Sequence, residues 1–326
     1  EALKEFRDKV AKEFKENTAA RILADLASRH RQGFFFCYLE GERSFLLTVD
    51  PAAWEEVSLF QYKTERLGLV TQMSTDEWNS FPVKGSSGLS KWEVDLEEVE
   101  LDVHIDQKAV LSATAKLQFV SLLDGPRVLH LYLAPTLRVA AVTQEDGEKY
   151  LYVQEHEKED ADFWLILPAP LEREREYSLT ITYSGKEVVE DVGGGNFYVG
   201  ARTSWYPTFN SFYDRARYLI TYRVPQGNTL ISTGNLLSRS DEGDESVSQW
   251  DSQIPFAVAG FNYGKFAVEV ERDTLVEITS YANTGLENSL IDLQIALKEY
   301  RELRDALQLF PSELNTTRLA RDAAIQ

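Results

Sequence analysis

The chain has 326 residues, 43% hydrophobic and 12% aromatic, which is enough for two or three domains with real cores. A formal net charge of −19 and a pI near 4.7 argue against nucleic acid and anionic membrane surfaces, because phosphate binding needs clustered Lys and Arg. No run approaches the ~20 apolar residues of a membrane span, and a single cysteine, Cys37 in the apolar run FFFCYL, excludes an intrachain disulfide.

The acidic residues are spread through DLEEVE, EHEKEDAD, EVVED and DEGDE, as expected of a solvated surface. None of these stretches has the spacing of a calcium loop with its central Gly and terminal Glu. The chain starts on Glu, with no charged region followed by an apolar core of a leader. That start suits a processed, exported chain (periplasmic or extracellular) as well as an excerpt of a longer one.

Along the first ~30 residues, Leu3, Phe6, Val10 and Phe14 recur at spacings of three and four, which places them on one helix face. Asn17-Thr18 breaks the pattern and can cap a second helix carrying Ile22, Leu23 and Leu26. GFFFCYLEGERSFLLTVDP then predicts two strands joined at Glu40-Gly41-Glu42. Trp54 to Met73 shows no clear period. PVKGSSGLS, 82–90, is a linker by composition.

Beyond it the period is two. Val99, Leu101, Val103 and Ile105 alternate with Glu100, Asp102 and His104. After the turn at Asp106-Gln107-Lys108, Leu111, Ala113, Ala115, Leu117 and Phe119 alternate with polar residues, which predicts a hairpin with one face buried. Short strand-like runs follow: VLHLYL, KYLYV, FWLIL, YSLTITY, RYLITYRV, TLISTG, FAVAGF, KFAVEVE and LVEITSY. Leu290, Leu293, Leu297, Tyr300, Leu303, Leu307 and Phe310 then predict a closing helix before Pro311. The fold class is therefore mainly β with flanking helices: an antiparallel saddle-like or sandwich β domain, preceded by a small α+β segment and followed by a helix. The expected boundaries are 1–84, 90–285 and 286–326.

Zinc chemistry of the H-E-x-x-H type needs two His on one helix face, with a Glu to activate water. His30, His104, His130 and His156 lie far apart, and the fifth residue from His156 is Asp160. The strand residues His104 and His130 are expected to point outward in structural roles. No G-x-S-x-G elbow surrounds Ser184 or Ser204, and Gly193 to Gly195 lack the Lys of a phosphate loop. With 53 acidic residues, no carboxylate pair can be singled out for glycosidase chemistry. The densest feature is aromatic: Trp205, Tyr206, Phe209, Phe212 and Tyr213. It reads either as core packing or as the wall of a ligand pocket. Asp214-Arg215 beside it suggests an ion pair holding the loop to a sheet.

The order of residues ~90 to 310 resembles the amino-terminal part of the aminopeptidase N-like (gluzincin) zinc metallopeptidases. VELDVHIDQKAVLSATAKLQF is similar to the family's opening hairpin, and EREYSLTITYSG to its strand before a Gly-rich loop. GGNFYVG resembles its Gly-x-x-Tyr-like element. SWYPTFNSFYDRARYLITYRVPQGNTLISTGNL resembles the loop at the active-site rim and the long strand ending in V-P. FAVAGFNYGKF is similar to a further family strand. Each motif is weak alone, and their sequence order carries the likeness over about two thirds of the chain.

The resemblance implies a supporting β domain walling one side of a peptide cleft, with Thr203, Ser204, Trp205 and Tyr206 as rim candidates. It departs from the family at two points. The rim stretch Thr203-Ser204-Trp205-Tyr206-Pro207 lacks the usual Gln or Glu, and neither G-x-M-E-N nor H-E-x-x-H with its downstream Glu is present. No catalytic or metal-ligating residue is therefore expected in this chain. Zn and a peptide substrate are implied only for a complete parent. A catalytically inactive scaffold, or a module meeting a protein or glycan through the aromatic loop, is the alternative.

Overall fold

The computed structural model describes residues 18–29, 33–39, 45–51, 56–67, 70–81, 92–144, 147–154, 162–209, 214–272 and 277–283. The expected first helix, the 82–90 linker and the closing helix lie outside them, as do His30, His156, Phe212 and Tyr213. The chain divides into two compact units, Glu1–Asp191 with Phe197–Tyr263, and Val192–Asn196 with Gly264–Gln326. The described elements are mainly β.

In the first unit, helix α1 (Thr18–Ala27) matches the second predicted helix. An antiparallel four-stranded meander follows: β1 (Phe35–Leu39), β2 (Phe45–Val49), β3 (Val57–Leu67) and β4 (Val70–Phe81). The first hairpin is the one read from the sequence, with Cys37 facing Leu47. The second falls where no period was visible.

The main body begins with β5 (Val94–Ile105) and β6 (Leu111–Ser121), whose alternation buries one face as predicted. At their turn, Asp106 accepts the backbone N–H groups of Lys108 and Val110 at 2.8 and 2.9 Å. The bond from Val110 leads in holding this carboxyl below its usual range. Strands β7 (Val128–Tyr132), β8 (Leu137–Thr143), β9 (Leu151–Gln154), β10 (Asp162–Ile166) and β11 (Glu176–Gly185) follow. The short β12 (Glu190–Gly193) and β13 (Asn196–Val199) come next, then β14 (Arg217–Pro225), β15 (Thr229–Ser232), β16 (Asn235–Glu242), β17 (Glu245–Asp251) and β18 (Phe261–Gly264).

Seven strands form one sheet in the order β16-β17-β14-β5-β6-β11-β8. It is antiparallel except at its centre, where β14 runs parallel to β5 with Ile220 opposite Leu101. The sequence expectation of an antiparallel sheet is corrected at that pair alone. A second sheet runs β7-β10-β9. At the free edge of β8 the Gln154 side chain imitates a strand: its Oε1 accepts from Val139 N–H at 2.9 Å and its Nε2 donates to the Leu137 carbonyl at 2.9 Å. The inward faces of both sheets contribute to one apolar core, with Val99, Leu101 and Leu117 from one and Leu129, Leu131, Phe163 and Leu165 from the other.

FAVAGF is not a strand. Phe256 makes a single bridge to Ala216, and pairing resumes only at Phe261 in β18, opposite Val199 of β13. In the second unit, β19 (Phe266–Arg272) and β20 (Glu277–Asn283) form a hairpin, and Asn283 donates to the Gly193 carbonyl at 3.0 Å. Gly193, Gly194 and Gly195 all have positive φ (88, 64 and 79°), a left-handed turn that side chains resist.

Candidate functional site

The segment from Gly200 to Phe209 is a loop held from both sides by hydrogen bonds. Thr203 donates twice to the Gly200 carbonyl, through its N–H (3.1 Å) and its Oγ1 (2.7 Å), which closes a tight turn. Ser204 follows with φ 50°, a left-handed conformation costly for a residue with a side chain. Its carbonyl accepts the Ala134 N–H at 2.8 Å, and Thr208 and Tyr132 exchange N–H···O bonds at 3.2 and 2.8 Å. These bonds stitch the loop to the end of β7 and the turn after it.

On the other side, two side chains grip one residue. The Trp205 indole N–H donates to the Ala259 carbonyl at 2.8 Å, and the Ala259 N–H donates to the Tyr206 hydroxyl at 3.2 Å. A backbone segment without a strand partner thus has its polar groups paired by aromatic side chains. Gly260 permits the approach, since a Cβ there would meet Ala201 Cβ and N at 3.0 Å. The Tyr206 hydroxyl also bonds the Tyr218 hydroxyl at 3.0 Å, and the Tyr222 hydroxyl bonds Ser232 Oγ at 2.8 Å. Trp205 meets Tyr206 and Phe261 edge-on, with centroids 4.9 and 5.1 Å away.

Burial sorts the predicted rim residues. Trp205 is fully buried, Tyr206 is 4% exposed, and Phe209 joins the same core, its ring 4.9 Å from Phe119. Thr203 and Ser204 remain half-buried at the loop's surface. The two rings therefore hold the loop in place, while Thr203 and Ser204 are the candidates that solvent reaches. Sequence reasoning overlooked Ala259 and Tyr218, which complete the clamp. The only signal for them was their place in two apolar runs.

Burial dominates the electrostatics. It raises the phenol pKa of Tyr183, Tyr206, Tyr218 and Tyr222 above the ordinary value, offset in part at Tyr206 by the bonds from Tyr218 and Ala259. These groups stay protonated near pH 7, so none is poised to act as a general base there.

Asp214 is 3% exposed, and its carboxylate accepts the backbone N–H groups of Leu96 (3.1 Å) and Arg215 (2.9 Å). It anchors the loop to β5 through backbone donors. On the outer face of the large sheet, Arg217 makes a two-pronged contact with Asp251 (3.1 and 2.7 Å) and reaches Glu98 at 3.5 Å. That guanidinium holds the Asp251 carboxyl below its usual range. Arg223 pairs with Asp102 along the same face.

Neither described histidine meets a second. His104 Nε2 lies 2.7 Å from Glu245 Oε1 on the outer face. His130 alternates with the buried Leu129 and Leu131, on the face away from the core as expected, and is half-buried there, its ring stacked 4.3 Å from Trp164 and tilted against Tyr132. Among the described residues no group of three His, Cys, Asp or Glu side chains can hold a metal ion. These residues do not fit a zinc site. Among them, too, no helix is long and apolar enough to cross a membrane.

No family model and no curated protein matches the chain. Solved structures similar to it are M1 zinc metallopeptidases. The enzyme from Deinococcus radiodurans aligns at a TM-score of 0.47 and 17% identity, over 58% of this chain and 46% of its own. A mutant of it bound to a Tyr-Ser-Ala substrate gives 0.49 and 15%, over 58% and 47%. A two-domain M1 mutant bound to L-arginine gives 0.47 and 16%, over 58% and 47%. The chain spans just under half the length of these enzymes, and at such values the likeness fixes neither family nor activity.

Proposed function

We propose that this chain is the non-catalytic amino-terminal portion of an aminopeptidase N-like zinc metallopeptidase and walls one side of its peptide cleft. The order of family-like motifs from VELDVHIDQKAV to FAVAGFNYGKF supports the family. The single observation that carries the wall is the doubly stitched loop, a surface turn at Thr203-Ser204 fixed by the Trp205–Ala259–Tyr206 clamp. A cleft wall must be rigid before substrate arrives, because ordering it on binding costs affinity. Thr203 and Ser204 then offer hydroxyls and backbone to a peptide, and the side chains that cut it belong to another part of the parent. Zn would be bound there as well, so no catalytic step is assigned to the residues described.

The purified chain is expected to hold no stoichiometric zinc and to leave aminoacyl amides uncut; metal analysis with hydrolysis assays showing both would overturn the reading. Sequencing the gene past the last codon tests the parent. An H-E-x-x-H within ~100 codons is expected on the motif's logic. Its absence would favour the scaffold reading, in which the same rigid loop meets a protein or glycan partner.

A further inference from the structure

The two ends of the seven-stranded sheet are protected by different means. At one end, β16 carries three charges in eight residues, Arg239, Asp241 and Glu242, and a register shift between Leu236 and Ser238. Charge and irregularity of that kind discourage a further strand from adding. At the other end, β8 reads LRVAAVT, with Arg138 as its one charge and neither Pro nor Gly. A short, β-prone, nearly uncharged edge is the sort to which another chain pairs.

Backbone groups along the β8 edge nevertheless have partners. The Gln144 N–H donates to the Glu148 carbonyl at 2.9 Å, and the Tyr150 N–H to the Val142 carbonyl at 2.8 Å. From there the chain leaves as β9 to pair with β10 in the other sheet, and side chains take over. Tyr152 and Gln154, two residues apart, share one face of β9. The Tyr152 hydroxyl donates to the Val139 carbonyl at 2.9 Å. The Gln154 amide accepts from the Val139 N–H and donates to the Leu137 carbonyl, both at 2.9 Å. Bonds to a carbonyl and an N–H two residues apart are those a parallel strand would make opposite Arg138. The same alternation leaves Leu151 and Val153 66% and 52% exposed, so β9 gives up aliphatic burial and keeps a phenol and an amide on the edge. We propose that Tyr152 and Gln154 guard this edge, and that without the guard β8 pairs with β8 of a second copy of the chain. The inference is independent of the peptidase reading.

The test uses the full chain with Gln154→Ala and, separately, Gln154→Met. The second keeps the side chain's length without its amide, so a fold lost on truncation does not decide the outcome. Far-UV circular dichroism confirms that the β structure is retained, and light scattering after gel filtration gives the mass over a series of concentrations. Each variant is expected to shift toward dimers or larger species at concentrations where the unaltered chain does not. An excess of a synthetic peptide with the sequence of Leu137–Thr143 is expected to return the variants to monomers, and a scrambled peptide is not. In dilute, monomeric samples the Val139 amide is expected to exchange its hydrogen roughly tenfold faster in the variants. Variants that associate no more than the unaltered chain would overturn the proposal. So would association that the peptide does not reverse, since it would lie at another surface, and so would a Val139 amide that exchanges no faster.

Discussion

Four buried phenols make the molecule vulnerable to alkali in a calculable way. Tyr183, Tyr206, Tyr218 and Tyr222 are each under 5% exposed. Burial raises all four pKa values in the folded state, whereas the unfolded chain ionises near pH 10. A raised acid pKa stabilises the fold fully below the unfolded value and ceases to do so as pH climbs toward the folded one. Each such tyrosine then removes ~1.4 kcal/mol of stability per pH unit above about pH 10. Four remove ~5–6 kcal/mol per unit, against a typical total of ~5–15 kcal/mol.

Unfolding is therefore expected between about pH 11 and 12. Tyrosinate absorbance should rise in two stages, with the buried share of the fifteen tyrosines appearing together with loss of the β-sheet dichroism. Tyr183→Phe isolates the effect, since the Tyr183 hydroxyl is buried with no hydrogen-bond partner among the described residues. Its removal is expected to be neutral or stabilising by ~1 kcal/mol at neutral pH and to shallow the alkaline slope by about a quarter. If Tyr183→Phe weakened the protein by more than ~1 kcal/mol at neutral pH, the hydroxyl would have a partner and the reasoning would be refuted. Smooth titration of all tyrosines near pH 10 with the sheet intact would refute it equally.

Other changes probe the site and its support. Trp205→Phe strands the Ala259 carbonyl and leaves a void, so the urea midpoint should fall by the equivalent of ~2–4 kcal/mol; an unchanged midpoint means that the clamp is not holding the loop. Asp251→Asn removes a carboxylate whose pKa Arg217 depresses, a stabilisation present above the unfolded value of ~3.9 and lost as pH falls through the lower folded one. Denaturant curves of this variant and the parent should differ at neutral pH and converge near pH 2; a gap that persists in acid contradicts the assignment. Gly185→Ala would drive a Cβ into the Thr136 carbonyl and should cost more than Gly243→Ala, which meets open space and pays only for its φ of 67°. Thermal melts that rank the two the other way would show that β8 yields at that point.

The fold was legible wherever a strand buries a single face. β5, β6, β11 and β14 could be read from alternation because water and core take alternate residues. β16 escaped because all eight of its residues are exposed, so no period is imposed on NLLSRSDE. β3 and β4 escaped for want of any apolar alternation in QYKTERL and TQMSTDEW. FAVAGF misled in the opposite direction: it is apolar, but its backbone is satisfied by Trp205, Tyr206 and Thr233 rather than by a neighbouring strand. The aromatic cluster was visible, but its orientation was not, because composition does not say which rings face inward. Nor does alternation name a partner, so β14 beside β5 could not be foreseen.

That parallel pair also governs how the molecule can assemble. Arg217 on β14 meets Glu98 on β5 across 119 positions of chain, and Leu96 meets Asp214 across 118. During synthesis β5, β6 and β11 emerge first and can pair locally, but the middle of the sheet stays open until β14 has been made. For that interval β5 offers a bare, half-apolar edge, the kind of surface on which unfinished chains join one another. Residues that look like static anchors in the finished protein, Asp214 and Arg217 above all, would thus act in time as well as space, setting how long a nascent chain stays sticky.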